Sequence, residues 1–299
     1  MKLLSAFPSC TNSVVGQPFS DPPSFGILTT YPPTACGLAT FSAALSTGLS
    51  ANGSDVSVVR VVDGATPKSV RVSDSRARVV GELVGDSSPS ASAAAELLNH
   101  SDVAIIQHEY GIYGGTDGGD IVDVISGLRV PSIVIAHTVL KNPTRNQRSV
   151  LEAVADAADR VVVMSEAARR RLCLRFDVDP RRVVTIPHGA TVPKISTAKL
   201  AGRPTLLTWG LLGPGKGIEM VINAMASLAH LPGRPRYLVA GQTHPKVLAA
   251  HGEAYRDGCI DQARRGRRGR RIRSRPPRLP RRRFPDLSCS VRERGGAAV

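Results

Sequence analysis

The chain of 299 residues lacks most signals of a membrane or secreted protein. No apolar run approaches the ~20 residues that a bilayer-spanning helix needs. The opening Met1-Lys2-Leu3-Leu4 reaches Pro8 before an apolar secretory core of ~7–15 residues can form. Five cysteines, Cys10, Cys36, Cys173, Cys259 and Cys289, are widely spaced and form no C-x-x-C. That spacing excludes a disulfide framework and a cysteine zinc site, and points to free thiols in a reducing, cytoplasmic compartment. Aromatic residues make up only 4 % of the chain, and lysine is absent after Lys246.

What is abundant is arginine at one end. The net charge is +15, and residues 258–299 supply +11 of it, through 14 Arg against Asp261, Asp286 and Glu293. The preceding 257 residues are near charge balance. The stretch "ARRGRRGRRIRSRPPRLPRRRF" shows no helical or strand period, contains Pro276, Pro277 and Pro280, and repels itself. Disorder is expected over 258–299. Two readings of this segment stay open. One is an arginine-rich arm for RNA, DNA or an anionic lipid surface, which would add peripheral membrane association. The other is translation of GC-rich coding sequence in the wrong frame, which yields Arg, Pro and Gly without Lys. Phe284 is the lone aromatic there, so base stacking has no platform and nucleic acid is disfavoured as a partner.

Residues 1–24 are rich in Ser and Pro and read as a disordered lead-in. From 25 to 190, short apolar runs alternate with helical patterns. Strands are expected in "FGILTT" (25–30), "VSVVRVV" (56–62), "RVVGELV" (78–84), "VAIIQHE" (103–109), "SIVIAHT" (132–138), "RVVVMS" (160–165) and "RVVTIPHGA" (182–190). Helices are expected between them. "GLATFSAALSTGL" (37–49) puts Leu38, Phe41, Leu45 and Leu49 on one face. Residues 191–203 read as a linker. A second series covers 204–257, with strands at 205–210 and 236–242 and helices at about 217–229 and 245–257. This alternation predicts an α/β protein with parallel sheets and helices on both faces. Right-handed crossovers bring the carboxyl ends of the strands to one edge, where ligands bind. The informative residues are therefore Tyr31 to Gly37, His108 to Gly115, His137-Thr138, Ser165-Glu166 and His188-Gly189.

The segment "LLTWGLLGPGKGIEMVINAM" (206–225) contains G-x-x-x-x-G-K, the start of a Walker A loop. Gly217 stands where a magnesium-binding Ser or Thr is required, which argues against an ATPase. A structural turn with an incidental lysine is one alternative. The other is an anion site at a helix N-terminus, with Lys216 beside a bound diphosphate.

Here the chain resembles the GT-B retaining glycosyltransferases of family 4, which use nucleotide-sugar donors. The resemblance runs from about 25 to 257. It rests on "ILTTYPPTACGLATF", "IIQHEYGIYGG", "IVIAHT", "VVVMSEAARRRL", "VVTIPHGA" and "WGLLGPGKGIEMVINAM", in that order and spacing. It implies a GT-B-like fold, with a complete N-terminal Rossmann-like, acceptor-side domain and a partial second Rossmann-like domain that binds the nucleotide sugar. The implied catalytic residues are His137 and Lys216. Gly37, Gly215, Lys216 and Gly217 would bind the donor, with the N–H groups at 216–218 on the pyrophosphate. His108, Glu109 and Tyr110 would face a sugar, lipid or small-molecule acceptor. For His137 and His108 the alternative is a hydrogen-bonded structural histidine, and Ser165 and His188 are expected to pin loops. No cofactor and no metal are implied. Two departures stand out. Leu211 occupies the place of the family's diphosphate-binding Arg. The family's acidic E-x₇-E segment, with its ribose-binding Glu, is expected beyond 257 and has no match in the Arg-rich tail. A truncated transferase with impaired or absent activity is the resulting expectation; the alternatives are a non-catalytic fragment and a polyanion binder acting through the tail.

Overall fold

The computed structural model describes residues 22–62, 77–189, 203–228, 231–273 and 290–292. Residues 1–21 of the expected lead-in, 191–202 of the expected linker, and 274–289 and 293–299 of the tail lie outside the described residues. The chain divides into two compact units, Met1–Thr191 and Val192–Val299.

The first unit alternates strands and helices: β1 (Phe25–Thr29), α1 (Gly37–Ala51), β2 (Val56–Val62), β3 (Arg78–Val84), α2 (Ser88–Leu98), β4 (Val103–His108), α3 (Ile121–Ser126), β5 (Ser132–Ala136), α4 (Arg145–Ala157), β6 (Arg160–Val163), α5 (Glu166–Arg175) and β7 (Val183–Thr185). Its sheet has the order β3-β2-β1-β4-β5-β6-β7, and every neighbouring pair is parallel. The order reverses between β1 and β4, and in such sheets the crevice past that reversal receives ligands.

The apolar runs are near-continuous because both faces of the sheet are covered. One face carries Leu28, Ile106, Val134 and Val161 against Leu98, Ile121, Leu151 and Leu172, all buried. Burying each such side chain contributes ~1.5–3 kcal/mol. The other face carries Ile27, Val58, Ile105 and Ile135 against α1. Helix starts follow the sequence. Thr144 and Gln147 form a reciprocal capping box on α4, and Ser165 Oγ accepts the Ala168 N–H at 3.2 Å to start α5. Ser24, expected within a disordered lead-in, is held to Asp102 by its N–H and its hydroxyl at 2.8 and 2.7 Å.

The face of α1 differs in part from expectation: Leu45 and Leu49 pack against the sheet as expected, whereas Leu38 and Phe41 do not belong to that core. Ala39, Ser42 and Ser46 are its buried residues, while Phe41 is half-buried at the rim. The reason is polar and steric. Ser42 Oγ lies 2.6 Å from Thr29 Oγ1, Ser46 Oγ donates to the Ser42 carbonyl, and small side chains let the helix approach the sheet.

The second unit holds β8 (Thr205–Trp209), α6 (Ile218–Ser227), β9 (Arg236–Ala240), α7 (Pro245–His251), α8 (Ala254–Arg273) and β10 (Ser290–Arg292). Its parallel sheet has the order β10-β9-β8. A small core gathers Leu212, Ile218, Tyr237, Val239 and Cys259. Two expectations are corrected here. The single helix over 245–257 is broken, because Gly252 takes a left-handed φ of 57° and α8 starts afresh two residues later. The secondary structure also continues beyond 257, so residues 258–273 are helical rather than disordered. The first proline of the Arg-rich stretch is Pro276, and arginine itself is a good helix former. Cys259 is buried, and Gln262 Nε2 donates to the Glu219 carbonyl at 3.0 Å and to Asn223 Oδ1 at 2.7 Å, which docks α8 on α6.

Candidate functional site

In the first unit the carboxyl ends of β1, β4, β5 and β7 bring a group of polar and aromatic side chains together. His137 follows β5. Its backbone N–H donates to the His108 carbonyl at 3.1 Å, and its ring Nε2 lies 2.5 Å from Gln107 Oε1 on β4. The Phe41 ring from α1 meets the His137 ring edge-on, with centroids 4.9 Å apart, and the His188 ring at 5.1 Å. Burial, with the neighbouring His188, pushes the His137 pKa down to about 4, so its ring is neutral at physiological pH. His188 is exposed and its Nδ1 sits 2.5 Å from the Gly189 carbonyl.

The loop after β4 carries the three residues expected on the acceptor side. His108 ends the strand and is 1 % exposed. Its ring packs edge-on against Tyr110 at 5.0 Å, and its Nδ1 has no partner among the described side chains and backbone. Burial, with His137 nearby, pushes its pKa down to about 4. His108 is thus an internal residue beneath the loop rather than a surface that an acceptor could touch. Glu109 and Tyr110 are half-buried. Glu109 accepts the Thr138 hydroxyl at 2.5 Å and the Tyr110 N–H at 3.2 Å, tying the loop to the end of β5. Burial, together with the Glu109 charge, pushes the Tyr110 phenol up to about 12. Gly37 opens α1, and a Cβ there would meet nothing within 4 Å, so open space faces it. The start of α1 is capped by Cys36, whose Sγ accepts the Ala39 N–H at 3.3 Å.

In the second unit, Gly210 to Gly217 link β8 to α6. Gly217 is left-handed (φ 71°) and stands at the N-cap of α6 without a side-chain cap. Gly215 is also left-handed, at φ 85°. Glycines accept this backbone at no steric cost. Lys216 is exposed between them. Its N–H donates to the Gly213 carbonyl at 3.3 Å and closes a turn, so the free amides of this helix start begin after 216, one residue later than expected. Leu211 is half-buried and Trp209 is 77 % exposed at the end of β8.

The sequence pointed to His137, the loop after β4 and the glycine turn. It missed Gln107 and Phe41. Gln107 had a signal, a carboxamide directly after the apolar run Val103 to Ile106. Phe41 had none, since its spacing matches a core position.

The family profile of Glycosyltransferase Family 4 matches residues 35–192, more than half of the chain. The chain belongs to Glycosyltransferase Family 4. Solved structures share its GT-B-like α/β fold. HepE from Anabaena, solved with UDP and glucose, superposes with a TM-score of 0.56 at 13 % identity, over 82 % of this chain and 66 % of that one. A glycosyltransferase from Rickettsia africae gives 0.58 at 13 % identity, over 83 % and 66 %. The α,α-trehalose 6-phosphate synthase of Burkholderia multivorans gives 0.52 at 12 % identity, over 83 % and 69 %. The chain thus spans about two thirds of the length of these family-like structures. No curated protein sequence matches it. Among the described residues, no helix is long and apolar enough to cross a membrane, and no cluster of three His, Cys, Asp or Glu side chains could hold a metal ion.

Proposed function

We propose that this family 4 protein moves a sugar from a nucleoside-diphosphate donor to an acceptor hydroxyl in the cytoplasm, with retention of the anomeric configuration. Departure of the nucleoside diphosphate is the demanding step, and groups preorganised toward its growing charge accelerate it. Lys216 and the uncapped start of α6 supply that charge complement. The neutral His137 contacts the donor sugar, Gly37 allows the donor to approach α1 closely, and Glu109 and Tyr110 line the acceptor side. With Leu211 in place of a second cation, the diphosphate is held by one side-chain charge, so donor affinity and turnover are low for the family. The reading assigns no cofactor.

The observation that carries it is the strand, left-handed glycine turn and uncapped helix around Lys216, in a chain of this family. A helix N-terminus with an adjacent cation suits a diphosphate. Trp209 is the chain's single tryptophan and lies one residue before Gly210. Titrating the full chain with UDP, GDP and ADP in turn should therefore change its emission for at least one of them. Lys216→Ala should weaken that binding roughly tenfold or more, as expected for a charge-assisted contact of ~1.5–3 kcal/mol. No response to any nucleotide, with calorimetry equally silent, would refute the proposal.

A further inference from the structure

Gln107 is fully buried in β4, directly after the buried apolar residues Ala104, Ile105 and Ile106 and before the buried His108. A carboxamide in such a place costs free energy unless its hydrogen-bonding groups are met. Its oxygen meets His137 Nε2 at 2.5 Å, while its amide nitrogen has no partner among the described side chains and backbone. An apolar side chain would fill the same space without leaving a donor unpaired, so packing alone gives no reason for the amide. The contact does constrain His137. A neutral imidazole carries one ring proton, and an amide oxygen at this distance requires that proton on Nε2. The backbone of His137 is fixed by its N–H bond to the His108 carbonyl, and the ring is held by Gln107 at Nε2 and by the edge-on Phe41 ring.

We propose that Gln107 is the positioning residue of His137, fixing the ring by its Nε2–H and leaving Nδ1 as the hydrogen-bond acceptor offered to a hydroxyl of the donor sugar. The inference rests on the donor-contact role of His137 stated above and adds the residue that sets its tautomer. Gln107 itself touches no substrate; it acts through the imidazole, as outer partners do for other functional histidines.

The test uses the full chain labelled with ¹⁵N-histidine. Long-range proton–nitrogen correlation at neutral pH reads the tautomer of each imidazole, and His137→Asn assigns the His137 signals. The expected result is an Nε2-protonated ring in the wild type. In Gln107→Met, which keeps the length of the side chain and removes both amide groups, the two tautomers should mix, and kcat/KM for a nucleotide sugar should fall about tenfold. A wild-type ring protonated on Nδ1 overturns the proposal without any variant, so a Met variant that fails to fold leaves the decision intact. A tautomer unchanged in a folded Gln107→Met overturns it as well. A tautomer that mixes while turnover with an active donor stays unchanged refutes the donor contact of His137 and, with it, the use assigned to Nδ1.

Discussion

At the scale of single residues, the sheet edge holds two histidines, His108 and His137, that stay neutral. His108 makes the clearest prediction. Its folded pKa of about 4 lies below the ordinary 6.5, so the unfolded chain binds the extra proton first as pH falls. Its contribution to stability is complete above about pH 6.5 and is progressively lost toward pH 4. The amount is up to about 3 kcal/mol for a shift of this size. Urea unfolding at pH 7, 6 and 5 should show that slope, and His108→Gln should flatten it. A His108 that titrates above pH 6 by NMR would contradict this account. These residues were unequally legible. Histidines just past apolar strands stand out in a sequence, because parallel strands deliver them to one edge. Their burial does not stand out, and neither does the partner that Gln107 provides, since both depend on how neighbouring strands register. Phe41 shows the limit of periodicity. Helical spacing groups it with Leu38, Leu45 and Leu49, but Ser42, which bonds to Thr29 on β1, takes the closest approach to the sheet and the Phe41 ring lies against His137 and His188.

At the scale of elements, the glycine turn and the strand pair beside it separate two kinds of glycine. Gly241 has φ 154°, and a Cβ there would overlap the Gly210 carbonyl oxygen. Gly241→Ala must push apart the ends of β8 and β9, where Gly210 N–H bonds the Ala240 carbonyl at 3.0 Å and Leu212 N–H bonds the Gln242 carbonyl at 2.7 Å. A loss of roughly 1–3 kcal/mol in the second unit is expected from such crowding. Gly217→Ala is the contrast. It meets nothing within 4 Å, so only the left-handed backbone is penalised, by about 1 kcal/mol. Urea unfolding monitored by amide hydrogen exchange in β8 and β9 would rank the two; equal losses would refute the distinction. Elements were the most legible scale. Strand and helix positions in the first unit fall within a few residues of the apolar periods, except that β7 ends at Thr185 where the pattern ran to 190. In the second unit the least legible element is α8. Repeated arginine hides a helical period, and Cys259 and Gln262 reveal their docking only once α6 is in place.

At the scale of the molecule, the two units differ in how much they bury. The first has a core spanning seven strands; the second has a cluster of five buried residues under a three-stranded sheet. Urea unfolding by far-ultraviolet circular dichroism should therefore show two transitions, with amides of β8 and β9 losing protection before those of β1, β4 and β5. A single transition with uniform protection would contradict it. Parallel α/β architecture was legible because helices separate the strands. Strand order was less so, since β1 and β4 resemble their neighbours in composition. The edge position of β3 leaves a trace, however, in Arg78 and Glu82 within its apolar run.

The pairing of β1 with β4 has a consequence for synthesis. Phe25 lies opposite Val103 at the centre of the first sheet, so the emerging polypeptide can close that seam only after His108 has left the ribosome. Until then β1 has only β2 to pair with. A parallel pair of that kind needs a connecting crossover and many distant contacts, which form slowly. Nascent chains halted before β4 should accordingly be captured by chaperones, and chains halted after β7 should escape them.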